Sequence, residues 1–468
     1  MTRRVWARLD NASNMFLAAR SDADPKVFRM TAEMDHDVDP ELLQEALEST
    51  FDRYPLYRSV LRRGVFWYYL QDSDLRPEVT AETLHTCAPI YQADVRTLLF
   101  RVVHHRRRIN LEVFHALSDG TGALWFLADL VSAYVRLRFP EEHPAEADGE
   151  GTTHIEAAPG SAARIPDDRP AEPRHELEAD SFARYFRKND QRRSKRSGEG
   201  ERSRGLARFV GASTTKTYTV KGTRTPDNRT RAVELTMPAA DVLALARAQG
   251  VSMTMYLAAL FFASVRSSQD EQDDASTFAV SVPVNLRQFF PSTSARNFFT
   301  TVRVEHTYGE GDDDLGAVCR DLDAQFRPQT TAEALEARVR RFIRFERMIV
   351  LRIVPRPLKD LILGMLNRAS NRGLTVAISN LGNIRLPESV GAHVERMYFH
   401  VSAARPQFCA VSHAGRLTVT FTSPFSETAH VREFARHLSA QGIPVTVAAA
   451  RVTEDELASV TPADGGAP

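Results

Sequence analysis

Residues Arg108–Val135 read RINLEVFHALSDGTGALWFLADLVSAYV, and the rest of the chain is best read outward from them. Ile109, Leu111 and Val113 alternate with Asn110, Glu112 and Phe114, a period of two that predicts a half-buried strand. His115 stands at its end. Ser118 or Asp119 then offers a side-chain cap, Gly120 permits a tight turn, and the apolar run from Thr121 predicts a buried helix. On position alone, His115 is an ordinary strand-end residue. What the stretch establishes locally is a strand, a short loop carrying a histidine, and a helix.

The flanking sequence repeats this alternation. VFRMTAEM, after Lys26, predicts a strand. Asp39 then supplies a cap, Pro40 suits a first turn, and Leu42, Leu43, Ala46, Leu47 and Phe51 form the stripe of an amphipathic helix. Val65–Leu70 and Thr97–His105, rich in β-branched and aromatic residues, predict further strands, so the first part reads as α/β. Composition changes near Pro140. From there to Arg208 the chain is dominated by Glu, Asp, Ala, Pro, Arg and Ser, and it culminates in KNDQRRSKRSGEGERSRG. Too few apolar residues are present there to offset ordering entropy, which predicts a partly mobile connection over 141–208 with one anchoring helix at SFARYF.

Patterning resumes near Ala232. Two helices are expected around a break at Gly250, the second starting at Ser252 or Thr254. Phe278–Arg287 predicts a strand ending at an arginine. RFIRFERMIVLRIV and LKDLILGML predict amphipathic helices separated by Pro355 and Pro357. Thr375–Ser379, and FCAVSHAGRLTVTF with a turn at Gly415, predict the strands of a second α/β portion. The expected division is 1–140, a connection over 141–208, and 209–468.

The chain has 468 residues with 60 Lys+Arg against 60 Asp+Glu, so a wholly electrostatic function such as general nucleic-acid binding is disfavoured. Its 43% hydrophobic content supports a large core. Cys87, Cys319 and Cys409 are too far apart for zinc-ligand spacing or a disulfide framework, which fits free thiols in a reducing cytoplasm. Arg3 and Arg4 are followed by no apolar stretch of the kind a signal peptide needs. The longest apolar runs, such as Met253–Val265, fall short of the roughly 20 residues of a spanning helix.

His115-x-x-x-Asp119-Gly120 resembles the signature of the condensation-domain and chloramphenicol-acetyltransferase-like superfamily. PVNLR (283–287) is similar to the strand-end motif in the other half of its two-lobed members, and SNLG (379–382) lies in the corresponding C-terminal position. WARLDNASNMF, VDPELLQEALESTFDRYPLYRSVLRRGVFWYYL, VPVNLRQFFPSTSARNFF and ISNLGNIRLP resemble a bacterial subgroup called alcohol acetyltransferase-like proteins. The likeness spans nearly all of the chain apart from the central connection.

The resemblance implies an α/β fold of two chloramphenicol-acetyltransferase-like lobes, a V-shaped pseudo-dimer with the active-site channel between them. It implies transfer of an acyl group from acyl-CoA or an acyl-phosphopantetheine carrier to a hydroxyl acceptor, with no permanently bound cofactor and no metal. His115 would be the general base. Asp119 would turn away and pair with Arg287, holding the loop, and the Gly120 N–H would be an oxyanion donor. Asn380 and Gly382 would line the channel. The expected partners are a small-molecule or lipid alcohol and an acyl carrier protein, with peripheral membrane contact and no nucleic acid.

The sequence departs from the fuller pattern in two places. Phe114 replaces a first histidine that many relatives carry, and the Asp-Phe-Gly-Trp-Gly run of peptide-synthetase condensation domains is absent. Alternatives are a stand-alone condensation-type amide synthase and a non-catalytic lipid- or carrier-binding relative. His104-His105 precedes Arg106, Arg107 and Arg108 with no Asp-Gly at the right distance, and His115 with Asp119 has no further metal-ligand cluster nearby. Arg338–Arg372 holds ten basic residues against Glu346 and Asp360, which predicts core-packing helices with a solvated basic face or a docking patch.

Overall fold

A computed structural model describes residues 6–93, 95–142, 154–156, 181–186, 217–225, 229–268, 276–346 and 356–449. The strand Arg108–Phe114 is the centre of a five-stranded sheet. Its neighbours are Val27–Met34, antiparallel on one side and extended by Val394–Val401, and Phe100–His105 on the other, extended by the parallel Val79–Ala81. Ile109 to Phe114 are all buried, so the strand is covered on both faces rather than one.

The polar residues of that strand have internal partners. The Thr31 hydroxyl donates to Asn110 Oδ1 (2.8 Å). The Glu112 carboxylate receives Arg29 Nε (2.8 Å), Arg101 Nε (2.6 Å) and the Cys87 N–H (2.8 Å). Two guanidiniums and a backbone donor offset the desolvation of one carboxylate, which is the condition for burying it at all. Helix Pro40–Arg53 is capped as expected, Asp39 Oδ1 accepting from the N–H groups of Glu41 (3.0 Å) and Leu42 (3.2 Å). It packs against helix Gly120–Arg138, whose residues Thr121–Ala128 are all buried. A helix surrounded by protein has no need of a polar face.

The second sheet has eight strands. Phe299–Tyr308, Ser276–Asn285, Val376–Arg385, Gln407–His413, Arg416–Ser423, Arg231–Pro238 and Thr446–Ala449 run in that order, and His154–Glu156 joins Val376–Arg385. Helices Ala239–Ala248 and Met253–Ser267 flank Gly250 at φ +72°, and the Ser252 side chain caps the second by accepting from the Met255 N–H (3.3 Å). Ala414 and Gly415, both at positive φ, make the tight turn between Gln407–His413 and Arg416–Ser423. A small sheet of Trp6–Arg8, Tyr68–Asp72 and Ser59–Arg63 completes the strands.

Each large sheet has its own apolar core, consistent with a two-lobed α/β fold. The division along the chain is less simple than 1–140 against 209–468. Val394–Val401 belongs to the first sheet, and Val390, Val394, Met397, Tyr398 and Phe399 lie in the first core. Without that strand, Val27–Met34, buried throughout, would be an edge with unpaired backbone groups. Ser181–Phe186 is helical and places Phe182 and Phe186 in the second core, while the arginine-rich run 188–205 lies outside the described residues.

The basic segment divides as well. Helix Ala332–Glu346 buries Leu335, Val339 and Ile343. Residues 347–355 lie outside the described residues, and the next helix spans Arg356–Arg372, so Pro357 occupies its first turn rather than a break. Leu358, Leu361 and Met365 form an exposed stripe on that helix, where core packing was expected. Among the described residues no single helix is long and apolar enough to cross a membrane. All three cysteines are free and buried.

Candidate active site

His115 is pinned by its backbone. Its N–H donates to the Lys26 carbonyl (2.8 Å), and its carbonyl accepts from Asn297 Nδ2 (2.9 Å). The imidazole stacks on Phe16 at 3.9 Å and 17°, meets the edge of Phe28 at 4.9 Å, and lies 5.9 Å from Phe299. Three aromatic side chains from separate segments therefore set its orientation. Nδ1 is buried without a hydrogen-bond partner of good geometry. Burial pushes the pKa down to about 4, and the nearby Asp119 carboxylate opposes this more weakly. The ring is thus neutral at pH 7 and has a free lone pair.

Asp119 faces the other way, and both of its oxygens are occupied. Oδ1 accepts from the Gly122 N–H (2.9 Å), capping helix Gly120–Arg138. Oδ2 accepts from Arg287 Nη1 (2.7 Å) and from the Phe298 N–H (2.8 Å). Arg287, in the 3-10 turn after Ser276–Asn285, also donates from Nη2 to the carbonyls of Ser294 (2.8 Å) and Arg296 (2.5 Å). Its guanidinium lies 5.3 Å from the Trp125 ring centroid. Both partners are buried, so this hydrogen-bonded pair ties the start of one helix to the opposite lobe.

Two glycines keep the loop close to its surroundings. A Cβ on Gly122 would stand 2.2 Å from the Ala295 carbonyl oxygen and 2.5 Å from Ser118 Oγ, inside any allowed contact. A Cβ on Gly120 would meet the Leu381 side chain at 3.1 Å and, in ordinary contact, Met30 Cε at 3.6 Å. SNLG lies within the strand Val376–Arg385, not after it, at a bulge between Asn380 and Asn383. Asn380 Oδ1 accepts from the Gly382 N–H (2.8 Å), its Nδ2 donates to Thr254 (3.0 Å), and Gly382 sits at φ +80°. Asn380 and Gly382 therefore shape the bulge, and Leu381 between them reaches the loop.

Ser13 and Asn297 were not singled out from the sequence, and Ser118, offered there as a cap, donates elsewhere instead. Asn297 bridges the His115 carbonyl and Ser13 Oγ (3.1 Å), the Ser13 hydroxyl donates to the Ala116 carbonyl (2.8 Å), and Ser118 Oγ donates to the Ala295 carbonyl (2.6 Å). Their signal was present in NASNMF and SARNFF, stretches whose role a linear reading does not reveal.

Residues 227–443, a little under half of the chain, match the model of a family described as the phthiocerol/phthiodiolone dimycocerosyl transferase C-terminus. No curated protein matches the sequence. Polyketide synthase associated protein 5 from Mycobacterium tuberculosis superposes with a TM-score of 0.57 at 14% identity, covering 92% of this chain and 96% of that one. The TRI3 trichothecene 15-O-acetyltransferase of Fusarium sporotrichioides gives 0.58 at 11%, covering 93% and 94%. TRI101 of F. graminearum, solved with coenzyme A and T-2 mycotoxin, gives 0.56 at 10%, covering 93% and 97%. At such identities the likeness establishes the fold, and it extends over both lobes.

Proposed function

We propose that this chain, which has the two-lobed fold of the condensation-domain and chloramphenicol-acetyltransferase-like superfamily, transfers an acyl group from a thioester to a hydroxyl acceptor. The observation that supports the reading is a His115 at a strand end, held among Phe16, Phe28 and Phe299 and kept neutral at pH 7 by burial. In the reaction, Nε2 takes the acceptor's hydroxyl proton as its oxygen attacks the thioester carbonyl. The tetrahedral oxyanion is met by the Gly120 N–H at the start of helix Gly120–Arg138. Collapse breaks the C–S bond, and the imidazolium returns its proton to the departing thiolate. The products are an ester and a free thiol. No covalent acyl-enzyme is needed.

Asp119 and Arg287 act by holding the loop, because every oxygen of the carboxylate is engaged away from His115. An acyl-CoA donor, supported by the coenzyme A in the F. graminearum structure, and an alcohol acetyltransferase-like activity are the finer forms of this proposal. Free buried cysteines fit a reducing, cytoplasmic setting. The test is free-thiol release by the purified chain with a panel of acyl-CoAs and alcohols. Acceptor-dependent release is expected, and its absence across the panel, with carrier-bound donors included, would remove the proposal.

A further inference from the structure

Away from the candidate active site, a second group of titratable side chains gathers where Val394–Val401 joins the first sheet. The Asp35 N–H donates to the His393 carbonyl (3.1 Å), one step beyond the Val394–Met34 pair, so the two residues are held side by side. His36 Nδ1 lies on one Asp35 oxygen, and His393 Nδ1 lies 3.2 Å from the other. The ligand atoms of Asp35, His36 and His393 all fall within 4.8 Å of one another.

The outer nitrogens are engaged too. His393 Nε2 is 3.2 Å from Glu142 Oε2, and His36 Nε2 is 3.3 Å from the Tyr134 hydroxyl, which accepts from the Asp39 N–H (3.0 Å). Phe139 stacks on His393 at 4.0 Å and 5° and meets His36 edge-on at 5.0 Å. Both imidazoles are thereby oriented by the end of helix Gly120–Arg138 and the residues after it.

Each ring nitrogen of His393 faces a carboxylate, which bears on what this cluster can hold. A neutral imidazole carries one N–H, yet His393 has a carboxylate oxygen at 3.2 Å from each ring nitrogen. With Nε2–H donated to Glu142, the Nδ1 lone pair is directed at Asp35, where a metal ion satisfies both groups. His36 has the same arrangement, its Nε2–H going to Tyr134. A carboxylate or hydroxyl behind each ligating imidazole is the usual outer shell of a metal-bound histidine. Asp35 is 41% exposed, which leaves a side open for water.

We infer that Asp35, His36 and His393 form a binding site for a zinc-class divalent cation, with Glu142 and Tyr134 as the outer shell. Two imidazoles and one carboxylate with an open position suit zinc before magnesium or calcium, which take oxygen ligands. The ion would clamp the loop ahead of Val394–Val401 onto the first lobe.

The full chain, stripped with chelator, would be titrated with zinc chloride by calorimetry and dialysed for metal analysis. One zinc per chain and a raised Tm are expected. Asp35→Asn and the double variant His36→Gln/His393→Gln should lose stoichiometric binding. Glu142→Gln, changed at an exposed side chain, should weaken it ~10–100-fold. Cobalt(II) in place of zinc should show visible bands without a thiolate charge-transfer band. No stoichiometric zinc in the parent chain, a thiolate band, or binding kept by Asp35→Asn and Glu142→Gln with unchanged circular dichroism would overturn the site.

Discussion

At the residue scale, His115 combines two opposing requirements. Burial among Phe16, Phe28 and Phe299 orients the ring but brings its pKa to about 4, well below the ordinary value of about 6.5. The base form is therefore complete throughout the neutral range, although a weaker base gives less driving force for proton transfer. The free-enzyme profile of kcat/KM should stay level from pH 8 to pH 6 and lose activity with a midpoint near pH 4. An acid limb centred near 6.5 would contradict the burial argument. Gly122 and Gly120 make a second contrast. Gly122→Ala drives a Cβ into the Ala295 carbonyl and should cost ~1–3 kcal/mol or more, whereas Gly120→Ala needs only a shift of Leu381. Comparable Tm values for the two variants would remove that distinction.

At the scale of elements, the Asp119–Arg287 pair carries both a helix start and a contact between lobes. Asp119→Ala removes the cap of helix Gly120–Arg138 and leaves the Arg287 guanidinium buried without its anion. Loss of ~3–5 kcal/mol is expected from the stranded charge, read as a lowered midpoint in chemical unfolding. A variant as stable as the parent would show that the pair does not hold the loop. This pair was expected because each half sits in a short motif resembling those of the two-lobed superfamily, and that resemblance implies the pairing. Its backing was not. Asn297 reaches the His115 carbonyl across a separation of 182 residues, and nothing near Asn297 in the chain announces that partner. The polar face of Arg108–Phe114 was misread for a related reason. Alternation reports the polarity of a face, and solvent is only one way to satisfy it; Glu112 is answered by Arg29 on the neighbouring strand.

At the scale of the molecule, two cores and two large sheets followed from strand and helix patterning, whereas the exchange of Val394–Val401 between lobes did not. Its sequence is that of any buried strand, and its destination is set by the unpaired edge of Val27–Met34. The buried histidines add a property of the whole fold. Burial lowers the pKa of His115 and His430 to about 4 and of His400 to about 3. Below pH 6.5 the unfolded chain therefore binds more protons than the folded one, so stability falls as pH decreases and is level, in this respect, above pH 7. Tm should drop between pH 6.5 and 4, and His430→Phe should make that slope shallower. An unchanged slope would show that His430 is protonated without penalty in the fold.

The central claim is that His115 moves the proton in acyl transfer. Its most direct test is thiol release with a responsive acyl donor and alcohol, comparing the parent chain with His115→Ala. The expected result is a fall of ~10²–10⁴-fold in kcat for the variant with its Tm close to that of the parent. Release at an unchanged rate by a folded His115→Ala chain would contradict the account.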